Sequence, residues 1–271
     1  MEEVSEFGLA FEKDGFVVLR SVAEDVNIAA CHDEALNIWR QRLEACNGSM
    51  SLGQRGGYKQ IVQRHAGRYE VRLAKEETHH LDILKETLLA RLPFRVAKAS
   101  LGADVAVCAT SVVIADESCA AQTWHVDGAH LSLANHEPCH CLNIFFPLVD
   151  LTKSSGTELR PGSHFLTRNM AKQLLLAKAK KTLRPTLTPS LALGDCLLFD
   201  YRLLYRGLAN TLKKPRPVFV LTLSKPWFKD ILNFPSRSLF PDTNNFDNKE
   251  LTNNEKTPND IEEIIVVNDQ Q

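Results

Sequence analysis

The sequence predicts a mainly β domain, a double-sheet jelly roll with flanking helices. Three observations predict it. From Val105 onward, apolar and β-branched runs recur with turn signals between them; amphipathic helical patterns are confined mainly to the first hundred residues; and the loops joining the β runs are long. At 271 residues with 44% hydrophobic side chains, the chain can fill one large core. The expected organisation is a single domain over residues 1–234, helices to about residue 100 and a β core over 101–234, followed by a mobile acidic tail over 235–271.

In order, Phe11–Arg20 reads as a short polar helix that turns at Asp14-Gly15 and continues as a strand through Phe16-Val-Val-Leu19. Apolar residues at helical spacing predict a long helix from Ala23 to Ala45, ending before Asn47-Gly48. The glycine-rich, basic stretch Gly53–Tyr58, continuing to Arg64, Arg68 and Tyr69, could close over an anionic ligand, but is read first as a solvated surface loop. A further helix is expected over Asp82–Arg91, stopped by Pro93. The β runs are Val105–Ala115, Gln122–Asp127, Cys141–Leu148, Ala192–Asp200, Tyr201–Arg206 and Val218–Ser224, interrupted by a helical insertion at Asn169–Lys181. Residues 241–260 are poor in apolar side chains, and Ile261–Val267 is the one later stretch that could redock.

Composition excludes several classes of function. A formal net charge of −1 and no basic block argue against a nucleic-acid partner. No apolar run reaches membrane-spanning length. The acidic start reads as neither signal nor transit peptide, and the C-terminus is not a peroxisomal address, so a cytoplasmic location is expected. Seven cysteines without a secretory context are expected as reduced thiols, and Cys139-His-Cys141 lacks the spacing of a zinc site. No Gly-x-Ser-x-Gly elbow is present.

The candidate chemistry centres on Gln122-Thr-Trp-His-Val-Asp127. Side chains at i and i+2 of an extended segment share a face, so His125 and Asp127 can point at one spot. An imidazole and a carboxylate so placed are two of the three ligands of the 2-His-1-carboxylate triad that binds Fe(II).

The ordered strings FEKDGFVVLR, QTWHVD, IFFPLVDLT, GTELRPGSH, GDCLLFD, YRGLAN and KPRPVFVLTLSKPWFKD resemble the phytanoyl-CoA dioxygenase family of Fe(II)- and 2-oxoglutarate-dependent oxygenases, over Phe11 to Asp230. The resemblance implies a double-stranded β-helix of cupin-like form. It implies Fe(II), 2-oxoglutarate and O2 as cofactors, with ascorbate as an accessory, and oxidation of a small-molecule substrate. His125 and Asp127 fall on the metal-binding His-x-Asp, and Arg216 on the arginine that pairs with the far carboxylate of 2-oxoglutarate. Gln122, Asn143 and Thr157 are expected to line the same pocket.

The chain departs from the family at one position. The distal histidine is replaced by Tyr205, and no histidine follows His164. Three outcomes stay open: Tyr205 or water completes the metal site; His130, His140 or His164 substitutes; or the member is catalytically silent and serves as a small-molecule or protein binding module.

Overall fold

The computed structural model describes residues 2–74, 78–117, 119–132, 134–167 and 169–240. Five helices and nine strands follow in chain order: α1 (Glu2–Asp14), β1 (Phe16–Leu19), α2 (Ile28–Cys46), β2 (Ile61–His65), β3 (Arg68–Arg72), α3 (His80–Ala90), α4 (Leu92–Leu101), β4 (Ala106–Ala115), β5 (Cys141–Pro147), β6 (Thr157–Leu159), α5 (Met170–Ala179), β7 (Cys196–Asp200), β8 (Tyr205–Gly207) and β9 (Arg216–Ser224). Seven of the strands form one antiparallel sheet in the order β1-β7-β5-β9-β4-β3-β2, and β6 pairs with β8 in a small facing sheet. The jelly roll with flanking helices is therefore present.

Strand alternation divides the core in two. Val17, Leu19, Leu142, Ile144, Phe146, Leu198, Phe219, Leu221 and Leu223 point to the face covered by α1–α4. Their neighbours Phe16, Phe145, Leu197, Phe199, Val218 and Val220 point to the opposite face, between the sheets. Burial on both faces explains why these strands read as continuous apolar runs. At about 25 cal/mol per Å2 of apolar surface, each fully buried Leu, Ile or Phe contributes on the order of 2 kcal/mol.

Several elements differ from expectation. The long helix starts at Ile28, because Asn27 caps it by accepting a hydrogen bond from the Ala30 amide at 3.1 Å. Pro93 does not end the helical region. It sits in the first turn of α4, where a missing amide hydrogen costs nothing. The expected surface loop around Arg64 and Arg68 is instead the hairpin β2–β3, added to the edge of the large sheet. Gln122–Asp127 is not a regular strand: it holds one bridge, between His125 and Tyr205, flanked by amide hydrogen bonds from Gln122 to the Gly207 carbonyl and from Asp127 to the Tyr201 carbonyl.

The chain past residue 234, expected as the start of the tail, stays packed as far as Phe240. Lys59 donates its amide to the Arg237 carbonyl, Gln60 bonds both Ser238 and the Leu239 amide, and the Arg42 guanidinium lies over the Phe240 ring. The rest of the expected tail, residues 241–271, lies outside the described residues. Among the described residues all seven cysteines are free, and no helix is long and apolar enough to cross a membrane.

Candidate active site

A cavity of about 350 Å3 opens between the two sheets. His125, Asp127, Tyr205, Arg216, Gln122, Asn143 and Thr157 all line it, so the fold gathers every expected site residue at one place.

Backbone pairing sets the His125–Tyr205 contact. The two residues exchange amide–carbonyl hydrogen bonds of 3.0 and 2.9 Å, which places their side chains on one face with ring centroids 4.4 Å apart. Asp127 is held two residues on by its amide, which donates to the Tyr201 carbonyl at 3.0 Å. The Tyr205 hydroxyl donates to both carboxylate oxygens of Asp127, at 2.9 and 3.0 Å. Asn143 donates to Asp127 Oδ2 at 2.7 Å and accepts at its own Oδ1 from Thr222 at 2.7 Å. Asn143 and Thr222 are directly opposed on β5 and β9, so this link follows from the register.

The electrostatics follow from burial. Desolvation pushes the Asp127 carboxyl up to about 7, partly offset by the Tyr205 hydrogen bond. Burial, then the neighbouring Asp127 charge, holds Tyr205 well above the usual phenol range, so it stays protonated. Burial also lowers His125, which favours the neutral imidazole. His125 Nδ1 lies 2.9 Å from the Thr123 carbonyl and carries the proton there. Nε2 is left as a bare donor atom for a cation.

The opposite end of the cavity is basic. Arg68 on β3 and Arg216 on β9 both pair with Ala115 of β4, so the two guanidiniums stand in one row, separated by a small residue. They are 3% and 4% exposed. Arg216 donates only to the carbonyls of Ser155, Leu208 and Ala209, and Arg68 Nη2 donates to Leu208 at 2.9 Å. Arg68 Nε has no partner among the described residues, and neither arginine has a carboxylate within ion-pair distance among them. Burial, then the Arg68 charge, pushes Arg216 down to about 10. Gly207 lets this end assemble: a Cβ there would lie 2.6 Å from Arg68 Nη1 and 2.7 Å from Gln122 Oε1, which accepts from the Gly207 amide.

Three contributors were not singled out from sequence: Glu70, Thr222 and the segment Asp230–Phe234; Arg68 was named only within the basic stretch read as a loop. Glu70 pairs with Arg64 at 2.6 Å and accepts from Ser111, which neutralises the hairpin wall. The alternation in Arg68-Tyr-Glu-Val-Arg72, polar and apolar by turns, is the signal that marks this stretch as a strand facing a polar space. Asn233 donates to the Asp127 carbonyl at 3.1 Å and to the Tyr201 hydroxyl, drawing the segment after β9 across the mouth. The alternative histidines do not enter. His164 Nε2 meets the Glu12 carbonyl, His140 stacks on Trp227, and neither these nor His130 line the cavity.

The donor set decides what a metal would find. Among the described residues no three His, Cys, Asp or Glu side chains are arranged to hold one. Two protein donors fit, His125 Nε2 and the Asp127 carboxylate. Tyr205, protonated and turned to Asp127, is not poised to be a third.

A family model for phytanoyl-CoA dioxygenase (PhyH) matches residues 11–218. The epimerase SnoN, solved in complex with Fe3+, alpha ketoglutarate and nogalamycin RO, is similar in structure at 18% identity and a TM-score of 0.58, over 89% of this chain and 97% of that one. HygX from Streptomyces hygroscopicus, solved with nickel and 2-oxoglutarate bound, superposes at a TM-score of 0.54 and 12% identity, covering 83% and 88% of the two chains. AviO1 from Streptomyces viridochromogenes Tue57 gives 0.56 and 19%, over 83% and 96%. At such identities these likenesses speak to the fold, a cupin-like jelly roll, while the family match spans most of the chain. The protein belongs to the phytanoyl-CoA dioxygenase (PhyH) family.

Proposed function

We propose that the protein is an Fe(II)- and 2-oxoglutarate-dependent dioxygenase that hydroxylates or otherwise oxidises a small organic substrate. One observation carries this reading: a single cavity has a neutral imidazole and a carboxylate at one end and, at the other, two buried guanidiniums with no acidic partner among the described residues. A buried charge without a counter-charge is costly, and a ligand carboxylate seated there would relieve that cost. The distal carboxylate of 2-oxoglutarate is such a ligand, with Arg216 as its forked partner and Arg68 beside it.

His125 Nε2 and Asp127 would hold the iron, which when bound supplies activation of O2 and a seat for the 2-oxo acid end of the co-substrate. Tyr205 and Asn143 orient the carboxylate. Leu151, Phe145, Val218 and Val220 supply an apolar wall that keeps water from the reacting end. SnoN and HygX have been solved with nogalamycin RO and hygromycin B respectively, which supports a small organic molecule as the class of substrate here.

A second reading is favoured by the Tyr205–Asp127 hydrogen bonds: a catalytically silent member that binds a carboxylate-bearing small molecule without oxidising it. Incubation with Fe(II), 2-oxoglutarate and air separates the two. The oxygenase reading expects succinate release that Arg216→Ala and Asp127→Ala abolish. Binding of 2-oxoglutarate with no succinate from the wild type would leave only the silent reading.

A further inference from the structure

We propose that Tyr205 is a positioning residue for Asp127 and not a metal ligand, acting with Asn143 and Thr222 as a donor relay that engages Oδ2 more than Oδ1 and so presents Oδ1 to a cation shared with His125. This inference rests on the oxygenase reading of the same cavity and concerns the position at which the chain departs from its family.

An ionised carboxylate offers about four acceptor sites, two on each oxygen. The single Tyr205 hydroxyl hydrogen is shared between Oδ1 and Oδ2, at 2.9 and 3.0 Å, and Asn143 donates to Oδ2 alone at 2.7 Å. Oδ1 is therefore the less engaged oxygen. The relay has a fixed direction. Because Thr222 donates to Asn143 Oδ1, the amide must present Nδ2 to Asp127.

Tyr205 is held from both sides. Its ring packs 4.4 Å from His125, 4.8 Å from Phe199 and 6.1 Å from Phe145, and its backbone is bridged to His125. A phenolate ligand would carry no hydrogen, would break both bonds to Asp127 and would face that carboxylate as a like charge within contact distance. The observed arrangement is the one a donor makes. Loss of a ligating histidine is thereby converted into firmer control of the ligand that remains.

The test uses the full chain stripped of metal and titrated anaerobically with Ni(II) in the presence of 2-oxoglutarate. Affinity is read by calorimetry and tyrosine ionisation by ultraviolet difference absorption. One equivalent should bind with no tyrosinate signal. Tyr205→Phe should bind about 10-fold more weakly and Thr222→Val several-fold more weakly, both with unchanged circular dichroism, while Tyr205→His should bind at least 10-fold more tightly. A tyrosinate signal in the wild type that Tyr205→Phe lacks overturns the positioning role and leaves the oxygenase reading standing. Equal affinity in the wild type and Tyr205→Phe likewise overturns the relay. If the wild type takes no metal but Tyr205→His does, the two-ligand centre and the oxygenase reading both fall.

Discussion

At one end of the cavity Arg68 and Arg216 carry two buried positive charges answered only by backbone carbonyls; at the other, Asp127 is wrapped by donors from Tyr205 and Asn143. The same fold contains an internal reference. Arg202, equally buried, is bonded through Nε and Nη2 to both oxygens of Asp200 and through Nη1 to the Glu137 carbonyl. Arg202 has its counter-charge within the fold and reads as structural. Arg216 has none among the described residues, which is what the proposed co-substrate carboxylate would supply. The acidic end is different again: its donors are supplied internally, by Tyr205 and Asn143.

The contrast between the ends can be broken experimentally, beginning with the anion side. Replacing Arg216 by alanine should weaken 2-oxoglutarate binding by about 100-fold or more, since truncating one member of a buried charge pair costs roughly 2–5 kcal/mol. The variant should keep its circular dichroism, because no acidic partner is orphaned. Arg202→Ala should do the reverse, losing about 3–5 kcal/mol of folding stability by denaturant titration. Equal effects from the two substitutions would erase the distinction.

On the cation side, pH gives a second handle. With its carboxyl pushed up to about 7, the folded protein holds a proton on Asp127 that the unfolded chain, near 3.8, releases. Between those values the native state binds more protons than the unfolded one, so this group's contribution to the stability of metal-free protein falls as pH rises from about 4 to about 7. Metal affinity should run the other way, rising about tenfold per unit below 7 and levelling above it, as the competing proton leaves. Melting temperatures and metal titrations at pH 5, 6 and 8, set against Asp127→Asn, check both trends. A slope unchanged in Asp127→Asn would assign it to other groups.

The mildest change is Gly207→Ala. The added methyl would meet Arg68 Nη1 and Gln122 Oε1, so one of them must give way. A loss of 2-oxoglutarate affinity of about 3–10-fold, with metal affinity unchanged, is expected by calorimetry. A change at the metal end alone would contradict the assignment of Arg68 to the anion side.

Much of this fold was legible from residue order, and the reasons are physical. The runs at Cys141, Cys196 and Arg216 are mostly apolar on both faces, and their shortness, β-branched and aromatic content and flanking turn residues favour strands over buried helix. The pairing of His125 with Asp127 was legible from their i, i+2 spacing, but the gathering of Tyr205 and Arg216 with them was legible only through the family resemblance, since those separations in sequence say nothing of proximity. The hairpin Ile61–Arg72 was missed because its arginines, following the glycine-rich stretch Gly53–Gly57, looked like a solvated loop. Arg64 and Arg68 in fact line the cavity. The packing of Pro235–Phe240 was missed for a related reason: it is held by scattered hydrogen bonds and ring contacts to residues about 180 positions earlier, which no local pattern records.

The central claim, that one cavity seats 2-oxoglutarate between Arg216 and a metal on His125 and Asp127, is tested most directly by anaerobic titration of the metal-free protein with Fe(II) and 2-oxoglutarate under visible absorption. The account predicts a weak charge-transfer band that saturates at one equivalent of each and is absent from Asp127→Ala and from Arg216→Ala at the same co-substrate concentration. A wild-type protein that binds 2-oxoglutarate but develops no band at saturating iron would contradict it.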